Sequence, residues 1–399
     1  MLLDVHGWLP GLVSTQFENL ELLFVQWFAG RRSAEWFAPQ LARLRRRIDA
    51  HVDALILAGP HFEALSVAAL QGTRFEQCAA AQVMVRSGDA AWLDALARVW
   101  DATDPAARRG LVDGLTLGPL ADFAERLALR ATGDDVGACQ AAVVLRAAGH
   151  AESVPWARVA AWRSAADAFV REAAWRLVGM TAVPFPELDE FDAATEDEPE
   201  VSEAAYWAAT VRAQPCARMR GRQRARRCPV ALRWLAVLCE PSDEVLLRKC
   251  LGLAPLGLAR YEAAASAGLP GLVDDLIDAV GERPVDEAVA AGAALQRMTG
   301  VDFRSEVRLP VPPSGSELFD VEDDVRIPDQ AAARKFWRAN RKRYDAGTRW
   351  AAGTEVSLHA GRVTDLRTRW EATIRGVYER RVPAEAAIAA ERVCGEATS

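Results

Sequence analysis

Two clusters of charged side chains have the residue types and the close spacing that suit ionic binding. Four arginines fall within residues 334–343, and three consecutive acids fall in the acid-rich stretch 187–203. The clusters are Arg334, Arg338, Arg341 and Arg343, and Glu196, Asp197 and Glu198. Complementary charges steer a partner protein, so both clusters are candidate protein-binding surfaces. A charge run of this kind can also be an ordinary solvated surface, and that alternative stays open.

The residues that usually carry catalysis or bind metals form no recognisable pattern. The sequence has five histidines and seven cysteines, and it contains no Walker loop, GxGxxG, HExxH, GxSxG or CxxC motif. His51 lies at the edge of an apolar helical stripe, where a structural role is favoured over a catalytic one. We therefore predict no catalytic residue, no metal site and no cofactor. The scattered cysteines are interpreted as buried packing residues in a reducing compartment.

The net charge narrows the choice of partner. The chain has 399 residues and a formal charge of −7. Residues 330–399 contain 14 basic and 8 acidic residues, so the acidic excess lies entirely in residues 1–329. A general polyanion-binding protein would be basic overall, and we therefore expect a protein partner rather than nucleic acid. The mixture of arginine and aromatic residues around Phe336–Trp350 leaves open nucleic-acid binding by the C-terminal region alone.

The elements that must position these residues are short helices that recur at a regular step. Asp104, Asp135 and Asp167 lie 31 and 32 residues apart, and each precedes a short apolar segment. The glycines that close these segments are Gly118, Gly149 and Gly179. Aspartate is a favoured N-cap and glycine is common at helix C-termini, so each segment is predicted to contain a helix. A step of this size is typical of stacked helical repeats, in which neighbouring units bury each other's apolar faces.

Apolar stripes predict further helices on both sides of the repeats. One stripe is Leu41, Leu44, Ile48, Val52 and Leu55, in a helix that should end at Gly59. A second is Leu366, Trp370, Ile374 and Val377, in a helix near residues 364–381. Steps of three and four residues return to one face of an α-helix, so each stripe should be buried. Asp286 is expected to cap a helix that ends near Gly300.

The stacked units resemble HEAT-like repeats, and more specifically the chain resembles a family of proteobacterial HEAT-repeat proteins with no assigned activity. The stretches that carry the resemblance are Leu41–Leu44, Ala50–Leu55, Leu295–Phe303, Phe336–Asn340 and Gly347–Gly353. None of them is a catalytic signature. Some relatives are encoded beside type VI secretion components, so the resemblance implies an accessory, adaptor or immunity-like role.

The resemblance and the helical patterns together divide the chain into five segments. They are an N-terminal helical cap (1–60), HEAT-like repeats (61–186), a charged linker region (187–223), further HEAT-like repeats (224–302), and a linker with a basic helical C-terminal module (303–399). The predicted fold class is all-α, a HEAT-like α-solenoid of stacked antiparallel helix pairs with a helical C-terminal module.

These features favour a non-catalytic scaffold or adaptor that binds another protein on an extended repeat surface. The expected location is the cytoplasm without membrane association, because the N-terminus lacks a basic leader and the apolar run Leu22–Phe28 is too short to cross a bilayer. Two alternatives stay open. One is a DNA-repair-like enzyme built on helical repeats, and the other is a nucleic-acid-binding module confined to the basic C-terminal region.

Overall fold

The computed structural model describes residues 5–392 except 32, 34–35, 106, 121, 134, 151–152, 182–183, 311–323, 345–346 and 357–364. Helix content is 74%, and the described residues contain 21 α-helices and two sheets of two short strands each. The prediction of a mostly helical chain is therefore confirmed. The two small sheets were not predicted. Two of their four strands have only two residues each, which is too few to show an alternating pattern.

The chain divides into two compact units, and neither is continuous in sequence. Unit 1 contains Met1–Arg212 together with Asp365–Trp370 and Pro383–Ser399. Unit 2 contains Ala213–Thr364 and Glu371–Val382. The C-terminal part of the chain therefore contributes residues to both units.

The described part of unit 1 is built from short helices. In chain order they are α1 (Val5–Gly30), α2 (Ala38–Ala58), α3 (Pro60–Ala69), α4 (Arg74–Ser87), α5 (Ala90–Ala102), α6 (Arg109–Leu115), α7 (Phe123–Arg130), α8 (Val136–Ala147), α9 (Trp156–Arg163), α10 (Ala168–Gly179), α11 (Leu188–Glu196) and α12 (Pro199–Val211). The later helix α20 (Leu366–Tyr378) begins in unit 1 and continues in unit 2, and α21 (Ala384–Arg392) belongs to unit 1.

Alternate helices of unit 1 form a continuous packed series. Helix α4 packs against α6, α6 against α8, α8 against α10, and α10 against α12. The other helices pair with members of this series: α5 with α4, α7 with α8, α9 with α10, and α11 with α12. Helices of 7 to 14 residues are marginal in isolation, so burial against their neighbours must supply most of their stability.

Several local sequence signals in unit 1 are confirmed. The predicted stripe of α2 is buried at all five positions, and the helix ends at Ala58, before the Gly59 C-cap. The Asp135 carboxylate accepts a hydrogen bond from the Ala138 N–H at 2.7 Å and caps α8. The Asp167 carboxylate accepts one from the Phe169 N–H at 2.8 Å and caps α10. Each bond satisfies an N–H that has no partner within the helix.

Two predicted caps are wrong. Asp104 does not cap α6, which begins only at Arg109. The buried Arg108 side chain instead donates to the Thr103 carbonyl at 2.7 Å, and this bond stabilises an irregular turn ahead of the helix. Asp286 lies inside the first turn of a helix that begins at Val285. There its negative charge interacts favourably with the positive N-terminal end of the helix dipole, but its side chain does not cap the helix.

Unit 2 combines helices with the two small sheets. Its described elements are α13 (Cys216–Arg224), α14 (Pro229–Leu238), α15 (Glu244–Leu251), α16 (Ala259–Ala267), α17 (Val273–Glu282), α18 (Val285–Thr299), β1 (Arg304–Pro310), β2 (Asp324–Pro328), α19 (Gln330–Asn340), β3 (Trp350–Ala351) and β4 (Thr354–Glu355). Helix α14 packs against α16 and α16 against α18, while β1 pairs with β2 and β3 with β4, both antiparallel. The predicted stripe of α20 is also buried.

The segment 187–223 was predicted as a charged linker. It instead contains α11, α12 and all of α13 except its last residue, Arg224. Phe191 and Tyr206 from this segment are fully buried. Pro199 starts α12 without interrupting a helix, because proline is tolerated in the first turn, where its missing N–H needs no partner. Most of the proline- and acid-rich connection 309–330 lies outside the described residues.

One arginine satisfies the C-terminal ends of two helices in unit 2. The Arg349 guanidinium donates to the carbonyls of Val237 and Ala236 in the last turn of α14, at 2.8 and 2.9 Å. It also donates to the Ser266 carbonyl in the last turn of α16. The last carbonyls of a helix have no partner within it, so a buried fork of donors can satisfy several at once.

The turn of the β3–β4 hairpin does the same for a third helix. The Ala352 N–H donates to the Arg297 carbonyl at 2.7 Å, and the Gly353 N–H donates to the Met298 carbonyl at 3.0 Å. Both carbonyls belong to the last turns of α18. The stretch Gly347–Gly353 therefore has a structural role in unit 2, as the segment that closes these helix ends.

Candidate functional site

Helices α6, α8 and α10 of unit 1 line a groove that contains a cavity of about 240 Å³. The lining residues on these helices and just beyond their ends are Arg109, Val112, Asp113, Thr116, Leu117, Gln140, Val143, Ala147, Phe169, Glu172, Ala173, Arg176 and Met180. We call this feature the α6–α8–α10 groove. Further walls come from α1, α4 and α21, so the groove combines distant parts of the sequence within one unit.

Each of the three helices presents one face to the groove. Arg109, Val112 and Thr116 follow one another at steps of three and four residues, a spacing that stays on one side of an α-helix. Arg109, Gln140 and Glu172 lie 31 and 32 residues apart, the same steps that separate the three aspartates. Residues at this recurring spacing on the three helices therefore meet in the groove. This signal was present in the sequence, but the helix faces could not be assigned without the packing.

The groove has an apolar surface whose side chains are only partly buried by the surrounding helices. Val112, Val143, Ala147 and Ala173 are each partly buried. The Phe169 side chain stays 48% exposed at the start of α10. An apolar side chain from another segment would be removed from water here, which is the main source of binding free energy in such sites.

Arginines surround this apolar surface, and they differ in whether they form ion pairs within the chain. Arg74 pairs with Asp113 at 2.6 Å, and Arg176 pairs with Glu172 at 3.0 Å. Arg109 is exposed and has no ion-pair partner among the described residues. Its charge is therefore available to an acidic group on a ligand.

An aromatic ring positions two cations on one wall of the groove. The guanidinium carbons of Arg31 and Arg74 lie 4.8 and 5.3 Å from the centroid of the Phe28 ring. At these distances the ring attracts both cations. The α1 and α4 walls therefore hold arginine side chains toward the same cavity that Arg109 lines.

Two glycines allow α6 to lie unusually close to α4. A Cβ atom added at Gly110 would collide with the Arg74 carbonyl oxygen, and one at Gly114 would lie 2.5 Å from the Cys78 carbonyl oxygen. With backbone at such short range, Asp113 on α6 can reach Arg74 on α4. The four-residue spacing of these glycines is a sequence signal of close helix packing that the repeat analysis missed.

A helix from the end of the chain also reaches the groove. Helix α21 packs against α12, and its Ile388 side chain lines the cavity. Ile388 and the neighbouring Ala387 are buried within unit 1. No sequence signal linked this helix to the repeats, because a helix of nine residues gives no indication of which surface it packs against.

The four predicted arginines lie on α19 and just after it, in unit 2. Arg334 is half-buried and pairs with Asp278 at 2.8 Å, so part of its charge is used within unit 2. Arg338, Arg341 and Arg343 are exposed. We call these three residues the cationic patch.

The three predicted acids lie in unit 1: Glu196 is the last residue of α11, and Asp197 and Glu198 connect that helix to α12. Glu196 and Glu198 are exposed, whereas Asp197 is held by both nitrogens of the Arg171 fork at 2.5 and 2.8 Å. The hydrogen bond from Arg171 keeps the pKa of the Asp197 carboxyl below its ordinary value. The acidic and arginine clusters thus belong to different units, and Asp197 serves an internal ion pair.

Among the described residues, no group of three or more His, Cys, Asp or Glu side chains is placed to hold a metal ion. Burial lowers the pKa of the His51 imidazole, and the nearby Arg47 charge acts in the same direction. The six described cysteines form no disulfide. Of the described helices, none is individually long and apolar enough to cross a bilayer. Helices α2 and α3 would meet the combined requirement of length and apolarity only as a pair, and they meet at a bend of 116°.

Comparison with known proteins identifies no relative. The chain matches no protein-family model, no curated protein and no solved structure.

Proposed function

We propose that this chain is a non-catalytic protein-binding scaffold and that the α6–α8–α10 groove is its main binding surface. The observation that carries this proposal is the composition of the groove. Three successive helix faces bring half-buried apolar side chains beside an arginine that has no ion-pair partner among the described residues. Protein interfaces typically have an apolar centre, and arginine is among the residues enriched at their energetic anchors.

We further propose that the repeats of each unit stack as a HEAT-like α-solenoid. The packing of α4, α6, α8, α10 and α12 in unit 1 supports this arrangement, and so does the shorter series α14, α16 and α18 in unit 2. In a solenoid, equivalent helices of successive repeats form one layer and expose one continuous surface. The groove would then be part of the surface formed by the α6, α8 and α10 layer.

The cationic patch is proposed as a secondary contact. Its three arginines are exposed, and exposed charges mainly change the rate of association and its dependence on salt. Arg334 contributes less, because it already pairs with Asp278. A cytoplasmic location and a role beside a type VI secretion system remain predictions that rest on the scattered cysteines and on the family resemblance.

Two variants of the full chain test the proposal. The groove variant carries Arg109→Glu and Val143→Glu, and the patch variant carries Arg338→Glu, Arg341→Glu and Arg343→Glu. Tagged wild-type protein is used to capture partners from its native cell, and the identified partner is purified and its binding measured directly. We expect the groove variant to lose the partner and the patch variant to keep it, with slower association at low salt. Thermal melts of both variants establish that they are folded.

Two results would overturn the assignment of the groove. Equal affinity of the groove variant and the wild-type chain for the purified partner would exclude the groove as the interface. Retention of duplex or single-stranded DNA by the wild-type chain at physiological salt, with loss in the patch variant, would establish the nucleic-acid alternative instead.

A further inference from the structure

One wall of the groove is formed by a side chain from another part of the sequence, Ile388, and that side chain indicates the class of partner. We infer that the α6–α8–α10 groove binds an acidic amphipathic helix with an aliphatic anchor, and that α21 competes with this helix from within the chain. The inference rests on the proposed function of the groove and names the kind of segment that it takes.

The position of α21 provides the first argument. Helix α21 follows α20 in sequence but belongs to unit 1, where it packs against α12. Its Ile388 side chain lines the cavity that Arg109, Val143 and Phe169 also line. An aliphatic residue on a short helix is therefore compatible with the shape of the groove.

The weakness of this contact provides the second argument. Helix α21 has nine residues, and Ala387 and Ile388 are its only fully buried side chains among those described. Helices of this length are marginal in water, so the covalent connection to α20 must supply the high local concentration that keeps α21 bound. A free helix that makes additional contacts can therefore displace it.

The charges in the groove define those additional contacts. Asp113 and Glu172 are paired with Arg74 and Arg176, which leaves Arg109 without an ion-pair partner among the described residues. An acidic residue on the flank of a partner helix would pair with Arg109. A basic helix would instead leave Arg109 facing like charge, so the groove favours an acidic occupant.

The test uses full-length chains and a defined peptide probe. The probe is residues 383–392 of this chain with one Glu-Ala-Ala-Ala-Lys turn added at each end, which favours the helical state, and a fluorescent label. It is titrated into the wild-type chain and into the Ile388→Asp variant, in which α21 cannot place an aliphatic side chain in the groove. Circular dichroism melts verify that the variant is folded.

We expect saturable binding to the Ile388→Asp chain and binding at least about tenfold weaker to the wild-type chain, because the tethered α21 competes there. A probe carrying Ile388→Asp should not bind. A probe carrying Arg392→Glu, which is more acidic, should bind the Ile388→Asp chain about threefold or more tightly than the original probe at low salt. Adding Arg109→Glu to that chain should remove the advantage of the acidic probe.

Equal binding of the probe to both chains, or no binding to either, would overturn the competition between α21 and a partner helix. Weaker binding of the more acidic probe would overturn the acidic class. These failures are distinguishable from failure of the proposed function. If the probe fails while the groove variant Arg109→Glu with Val143→Glu still loses its purified partner, the groove is an interface for a different kind of segment.

Discussion

The two units satisfy the ends of their helices in different ways. In unit 1, α4, α5, α8 and α10 each have a side chain at the N-cap that accepts a hydrogen bond from the first turn, and these residues are Thr73, Asp89, Asp135 and Asp167. In unit 2, none of the described helices α13 to α18 has such a cap. Helix α19 has one, because the Asp329 carboxylate accepts a hydrogen bond from the Ala332 N–H at 3.0 Å. At the C-terminal ends, the carbonyls of α14 and α16 share one donor, Arg349, which lies 83 to 113 positions away from its acceptors. In unit 1 the Val178 carbonyl in the last turn of α10 accepts a hydrogen bond from Arg212, which lies 34 positions away.

The difference determines how many helix ends a single substitution affects in each unit. Local caps in unit 1 contribute separately, so the loss of one affects one helix end. The contacts of Arg349 are shared by two helices, so its loss affects both at once. Unit 1 has its own concentrated element, the close approach of α6 to α4 at Gly110 and Gly114.

Replacing Arg349 by alanine is expected to have the largest effect on the free energy of unfolding. Three carbonyls, those of Ala236, Val237 and Ser266, lose a donor, and each buried unsatisfied polar group costs about 1–3 kcal/mol. We expect a total loss of about 3–5 kcal/mol, measured by urea unfolding. Hydrogen exchange should increase in α14 and α16 and stay unchanged in α4 and α6.

Arg334→Ala provides the matched control for Arg349→Ala. Arg334 has the same side chain and the same unit, but its ion pair with Asp278 is largely exposed, and such pairs contribute about 0–1 kcal/mol. If the two substitutions destabilise the chain equally, the importance of the helix-end contacts in unit 2 is refuted.

Gly114→Ala should give the next largest effect, and it should act in unit 1. The added methyl group would lie 2.5 Å from the Cys78 carbonyl oxygen, so α6 must move away from α4. Overpacking of this kind costs about 1–3 kcal/mol. Gly11→Ala in α1 is the control, because nothing lies within 4 Å of its added Cβ, and it should be neutral or stabilising by about 0.5–1 kcal/mol. If Gly114→Ala increased hydrogen exchange, relative to wild type, more in α14 than in α6, this result would contradict the division between the units.

Local capping in unit 1 is tested by comparing two aspartates at equivalent steps. Asp135→Ala removes the cap of α8 and should cost about 0.5–2 kcal/mol. Asp104→Ala should cost less, because α6 begins five residues later, at Arg109. Denaturant melts in which Asp104→Ala is the more destabilising of the two would show that the cap assignment is incorrect.

The smallest effect is expected for Asp197→Asn, and it should depend on pH. The folded-state pKa of Asp197 is lowered by Arg171, so its contribution is present above the ordinary aspartate pKa of about 4 and is lost as the pH falls through the lowered value. The pair is partly exposed, so we expect about 0.5–1 kcal/mol at pH 7. The difference between wild type and variant should shrink below about pH 4; a constant difference down to pH 2 would exclude this linkage.

The features that could be predicted from the sequence are those that depend on neighbouring residues. The stripe of α2 was correct because helical periodicity places Leu41 and Leu55 on one face wherever that face is buried. The caps at Asp135 and Asp167 were correct because a capping side chain bonds within three residues of itself. The cap predicted at Asp104 was wrong, because α6 begins later in the chain, after the buried Arg108. The Arg108 side chain bonds to the Thr103 carbonyl and, 32 positions away, to Gln140 on α8, and local patterns do not predict the second contact.

By itself, the sequence determined a mostly helical chain and several helix ends, because hydrogen bonds and side-chain periodicity within a helix act over a few residues. Only the tertiary structure decided which helix faces meet in the groove, that Ile388 reaches it, that Asp197 is used by Arg171, and that Arg349 closes two helix ends. Those contacts join residues far apart in the chain. Their geometry depends on how closely whole helices pack, and local residue patterns do not encode that.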